Sequence, residues 1–186
     1  MDQKVSRRTV AKGVAWAVPT VMVAGAAPAY AVSPFPPDPS FDWANGCATT
    51  GSVSGCANAK KTAQVPFTAK NTTAQELQLQ ITGVKSWNSN QSNPGSFAAA
   101  GGIYTNNGTE NNCDPKLGVP GCGRHPSVTI PAGATLSLWL VGSELGNSSA
   151  FWMEVKYQWV TPDCTTVIVP EEIAAAPFIV PDNNCS

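Results

Sequence analysis

From Ala150 to Val160 the chain alternates without a break, with Phe151, Met153, Val155, Tyr157 and Trp159 on one side and Trp152, Glu154, Lys156 and Gln158 on the other. A side-chain period of two belongs to a strand with one buried and one wetted face, and the same residues wound as a helix form no apolar stripe. Other stretches repeat the pattern. In Gln64–Lys70, Val65, Phe67 and Ala69 oppose Gln64, Thr68 and Lys70; in Glu76–Val84, Leu77, Leu79 and Ile81 oppose Gln78, Gln80 and Thr82. With Asn71-Thr72-Thr73 as the turn between them, these two read as an antiparallel pair with one wet face.

The second half continues the theme. Ser127–Ile130 ends at a turn, Pro131-Ala132-Gly133, and Thr135–Val141 sends Leu136, Leu138 and Leu140 inward with Ser137 and Trp139 outward. Thr165–Val169 and Pro177–Val180 are two shorter strand candidates. Glu171–Ala176 between them has room for one helical turn, closely bracketed by Pro170 and Pro177. Between Trp87 and Pro126 the alternation dissolves into Asn, Ser and Gly, with a short strand at Gly102–Thr105. Residues 86–126 therefore read as a long, partly ordered excursion. The expected fold class is all-β, an antiparallel β-sandwich of about seven or eight strands.

The front of the chain is built differently. Lys4, Arg7, Arg8 and Lys12 precede an uncharged apolar stretch from Val14 to about Ala27, and Ala-Pro-Ala-Tyr-Ala follows. The stretch falls short of the roughly 20 apolar residues a membrane span needs. Small residues at Ala29 and Ala31 suit a signal peptidase. Residues 1–31 therefore read as a cleavable signal helix, cut between Ala31 and Val32, and residues 32–40 as a stiff Pro-rich leader to a body at 41–186. Neither a lipobox Cys nor a wall-sorting signal nor an apolar C-terminal tail is visible, so the expected location is secreted or cell-envelope, touching membrane only through the signal before cleavage.

Losing the signal leaves seven Lys/Arg against eleven Asp/Glu, a net charge of −4. Nucleic acid and anionic membranes ask for the opposite balance and are set aside. All six cysteines, Cys47, Cys56, Cys113, Cys122, Cys164 and Cys185, follow the cut. An even number in an exported chain points to disulfides, and six allow fifteen connectivities. Sequence proximity suggests Cys47 with Cys56, Cys113 with Cys122, and Cys164 with Cys185.

Two resemblances sharpen these expectations. Ser6-Arg7-Arg8-Thr9-Val10-Ala11-Lys12 resembles the twin-arginine export consensus S-R-R-x-F-L-K, with Val10 and Ala11 in place of its Phe and Leu; Sec export is the rival route. FTAKNTTAQELQLQIT at Phe67–Thr82 and VTIPAGATLSL at Val128–Leu138 are similar to immunoglobulin-like modules of bacterial surface proteins. The leader looks like those of short, largely uncharacterised secreted proteins of Actinobacteria. The resemblance implies an immunoglobulin-like sandwich and carries over no catalytic residues. The antibody-type Cys…Trp…Cys core is not recognisable.

Catalytic chemistry finds little support. A Ser-His-acid triad would have to use His125, the one histidine, and no G-x-S-x-G occurs. Glu171 and Glu172 are adjacent and should diverge. No C-x-x-C suggests a metal site, and Asn111-Asn112-Cys113-Asp114 and Asp182-Asn183-Asn184 read as turns rather than calcium loops. No cofactor is expected. The expected role is non-catalytic, in binding or surface structure. The alternatives are a carbohydrate-binding module and a secreted hydrolase. Trp139 and Trp152 lie on wet faces of consecutive strands, so a hairpin would set both indoles on one outer surface. Cell-wall glycan and a surface protein are the two partner classes considered. A Lys–Asn crosslink through Lys70 or Lys156 is a further option.

Replacing Arg7 and Arg8 by Lys separates the export routes. On the twin-arginine route the protein disappears from the culture supernatant; on the Sec route its secretion is unchanged.

Overall fold

The alternating stretches are strands, and they build two sheets whose inner faces share one core. The computed structural model describes residues 35–48, 62–90, 95–105, 116–117, 125–145, 150–181 and 183–185. The chain divides into two units, Met1–Ala31 and Val32–Ser186, and every described residue belongs to the second. The signal helix with Arg7, Arg8, Lys12, Ala29 and Ala31, and the cysteines Cys56, Cys113 and Cys122, lie outside the described residues.

The strands are β1 (Ser40–Phe41), β2 (Cys47–Ala48), β3 (Thr62–Lys70), β4 (Leu77–Asn88), β5 (Gly102–Tyr104), β6 (Lys116–Leu117), β7 (Ser127–Ile130), β8 (Thr135–Glu144), β9 (Phe151–Val160), β10 (Val167–Ala175) and β11 (Asn183–Asn184). Sheet A runs β11-β2-β3-β8-β5-β6, with β1 also on β3; sheet B runs β10-β9-β4-β7. Every pairing is antiparallel except the short β11, which lies parallel to β2. The core takes one face of each long strand: Val65 and Phe67 from β3, Leu79 and Ile81 from β4, Leu138 and Leu140 from β8, and Phe151, Val155 and Trp159 from β9. Pairing β3 with β8, β4 with β9 and β9 with β10 is the immunoglobulin-like arrangement of strands B with E, C with F and F with G.

Three sequence expectations are corrected. First, β3 and β4 do not pair with each other; β3 hydrogen-bonds β8 in sheet A and β4 hydrogen-bonds β9 in sheet B. The link at 71–76 is an arch between sheets, held by the buried Asn71. Its amide group donates to the carbonyls of Gln75 (2.7 Å) and Ile130 (2.9 Å), and its Oδ1 accepts from the Thr73 N–H (3.0 Å) and Oγ1 (2.7 Å). The Asn71 N–H donates to the Ala134 carbonyl at 2.9 Å, in the Pro131–Ala134 turn where Gly133 takes φ +71°. Two apolar faces joined by such an arch face each other across the core instead of lying side by side.

Second, Glu171–Ala175 is strand, not a helical turn, and Pro177–Val180 contributes only a bridge from Val180 to Phe151. β9 and β10 form a hairpin whose open side needs no backbone donor from Pro170, and register shifts flank that residue. The Asp163 carboxylate organises the tip. Hydrogen bonds from Thr161 and then Thr165 hold it below its usual range. Cys164 sits there in the left-handed region, φ 62°.

Third, Cys47 is bonded to Cys185, neither to its neighbour Cys56 nor leaving Cys185 for Cys164. Cys164 is itself disulfide-bonded. The Cys47–Cys185 bridge spans 138 residues of sequence because β11 returns to lie beside β2, registering Asn183 with Cys47. It fastens one edge of sheet A rather than pinning the two sheets together, unlike the antibody bridge.

Parts of the excursion after β4 join the sheets. Ala98 bridges Val84 on the edge of sheet B, and β5 then joins β8 in sheet A before the chain returns to sheet B as β7. The leader is also seated on the body: Pro36 and Pro39 are buried, and the Phe35 carbonyl accepts from Thr72 Oγ1 at 3.2 Å. The phenol of Tyr157, buried in the core and hydrogen-bonded to Asp38, has its pKa pushed well up, burial being the larger cause.

Asn71→Asp removes both amide donors and places a charge in the arch; thermal or urea unfolding should show a loss of about 3 kcal/mol or more. Replacing Cys47 and Cys185 by Ser should cost up to about 5 kcal/mol on the chain-entropy model of a loop this long.

Candidate functional site

With the inner faces spent on the core, the two outer faces remain, and they differ. Trp139 and Trp152 do not share one. Their strands are consecutive but belong to different sheets, Trp139 on β8 of sheet A and Trp152 on β9 of sheet B. Each is half-buried on an outer face. The hairpin that would have joined them is replaced by a crossover, so the two-indole surface expected from the sequence does not form.

Trp152 instead stacks on Trp87, its cross-strand neighbour on β4, with ring centroids 6.4 Å apart and planes 21° apart. Strict alternation would turn Trp87 inward with Leu77, Leu79 and Ile81. A register shift between Ile81 and Gly83 inserts one residue, so Val84 faces the core and Lys85 and Trp87 face out. A bulge of this kind flips every later side chain to the other face, and Gly83 in the strand was its one signal in the sequence.

Gly83 also seats Phe97, since a Cβ there would lie 3.2 Å from the Phe97 Cβ. The ammonium groups of Lys85 and Lys156 each lie 4.8 Å from the Phe97 ring centroid. Lys85 pairs with Glu154 at 2.6 Å, and Lys156 with Glu171 at 2.7 Å. Thr82 donates a second hydrogen bond to Glu171, also 2.7 Å. The Lys156 and then the Thr82 hydrogen bonds hold the Glu171 carboxyl below its ordinary value of 4.5. Glu172, on the other side of the strand, faces Tyr157, so the adjacent acids diverge. On this face the charges of Lys85, Glu154, Lys156 and Glu171 are already matched, and the cations serve to hold Phe97 down. Lys156 is committed to Glu171, and Lys70 is exposed at the end of β3.

Sheet A presents a groove of about 600 Å³, within the usual size of small-molecule sites. Trp139 and Pro66, cross-strand partners, form its apolar side. Ser40, Thr68, Thr105 and Ser137 contribute hydroxyls, none of which has a hydrogen-bond partner among the described residues. Asp42 is the one charged residue among the described residues of the lining, and its carboxylate oxygens accept from the Asn45 side chain (2.7 Å) and N–H (3.3 Å). Beneath run Phe41, Phe67 and Leu138, whose side chains go to the core. Next along the same face, Thr62, Gln64, Tyr104 and Val141 are buried, and the Gln64 amide there has no hydrogen-bond partner among the described residues.

His125 lies just before β7, half-buried, and its field helps lower the Glu171 pKa. No three His, Cys, Asp or Glu side chains converge among the described residues.

The Glu171 interactions set a pH dependence. Because its folded pKa is depressed, its contribution is present above the ordinary value of 4.5 and is lost as pH falls below it. The melting temperature should drop on acidification through that range, and Glu171→Gln should flatten this part of the curve.

No protein-family model, no curated protein and no solved structure matches this chain.

Proposed function

We propose that the chain is exported and acts outside the cytoplasm as a non-catalytic, immunoglobulin-like binding domain, with the sheet A groove as its recognition surface. Export is supported by the Cys47–Cys185 bridge, a bond that persists in oxidising compartments. The division of the chain at Ala31, where the sequence places the signal cut, fits the same reading. Binding rests chiefly on one observation: Trp139 stands half-buried beside hydroxyls that the fold itself does not use.

A protein-contact reading has its own support. β10 is an edge strand with Val167 and Ile173 53% and 55% exposed. Yet Pro170, Glu171, Glu172 and the register shifts are the devices by which edge strands resist pairing, so the groove is preferred.

Sedimentation of the exported protein with envelope material from the producing cells tests the assignment. Trp139→Ala should reduce the bound fraction and Trp152→Ala, on the opposite sheet, should leave it unchanged. Equal binding by wild type and Trp139→Ala overturns the groove as the recognition surface.

A further inference from the structure

The chemistry of the groove narrows what it can hold, given the binding role just described. Its floor is continuous sheet: Ser40 and Phe41 of β1 register with Thr68 and Phe67 of β3, which register in turn with Ser137 and Leu138 of β8. The backbone between these strands is spent on the ladder, so an extended peptide finds no strand to pair with on the floor. A purely apolar ligand would cover the hydroxyls of Ser40, Thr68 and Ser137 and strip their water without replacing it, which is unfavourable. An anionic ligand meets no cation among the described residues of the lining, where Asp42 repels it.

A ligand that suits all three conditions has flat C–H faces for the indole and several neutral hydroxyls for the rim. We propose that the groove takes a neutral saccharide, one sugar ring stacked on Trp139 and its hydroxyls bonded to Thr68, Ser137 and their neighbours Ser40 and Thr105. Stacking on the indole supplies contact area, while the side-chain hydroxyls exchange bonds with water for bonds with sugar. No bond is made or broken, and the complex is reversible.

The test is calorimetric titration of the exported protein with cellotetraose, mannotetraose and chitotetraose, alongside tetragalacturonate, backed by a glycan array. Saturable binding of at least one neutral saccharide is expected, with tetragalacturonate weaker. Trp139→Ala should weaken it by at least about tenfold. Thr68→Val and Ser137→Ala, both at exposed positions, should each weaken it by about fivefold while leaving the melting temperature unchanged. These two variants decide the matter even if Trp139→Ala folds poorly. No response from any neutral glycan, unchanged affinity in the hydroxyl variants, or preference for the galacturonate overturns the proposal. If envelope sedimentation stays Trp139-dependent while no glycan binds, the saccharide falls and the binding role stands; if sedimentation ignores Trp139, the groove fails for both.

Discussion

Asn71 joins three connections at one point: its carboxamide holds the arch from β3 to β4 and the end of β7, and its backbone N–H holds the turn leading into β8. Its side chain donates twice and accepts twice, so a buried polar group is fully satisfied, and with its N–H the residue is satisfied only when all three chain segments are in place. The arch decides that β3 and β4 go to opposite sheets. From that follow the pairing of β3 with β8, the crossover from β8 to β9, and the separation of Trp139 from Trp152. Leucine or alanine at this position would offer nothing to the Gln75 and Ile130 carbonyls.

The outer faces show how similar residue types serve different ends. On sheet B the two lysines meet carboxylates and a ring, and these four charges find their partners inside the protein. Such a network holds the 95–100 segment against the sheet, and a ligand there would have to break internal bonds. On sheet A the hydroxyls around Trp139 are turned to solvent. The difference lies in what is left unspent, not in aromatic content.

Much of the fold was legible in the sequence because a period of two survives wherever one face is buried. β3, β7, β8 and β9 begin and end within a few residues of the alternating stretches. What failed was partnership. The apolar pattern of Gln64–Lys70 says that one face is dry but not whether its neighbour lies beside it or opposite it. The cysteines misled for a related reason: nearness along the chain favoured Cys56 for Cys47, whereas the return of β11 to β2 brings Cys185 there. Trp139 was marked by its place among polar residues. The hydroxyl rim was not, since Ser40, Thr105 and Ser137 become neighbours only when three strands and a loop converge. Trp87 was hidden by the single inserted residue near Gly83, which reverses the parity on which the reading depends.

The bridge between Cys47 and Cys185 also governs how the domain answers a pull. Tension applied between Cys47 and Cys185 passes through a covalent sulfur–sulfur link, bypassing the intervening chain across a sequence separation of 138. The hydrogen-bonded ladders of β3 with β8 and β4 with β9 then carry none of the load. The strands between the two cysteines are shielded in this way. By contrast β1, which carries Ser40 and precedes the bridge, takes a pull on the leader through its pairing with β3, so such a pull opens the Ser40 side of the groove while Thr68, Ser137 and Trp139 keep their places.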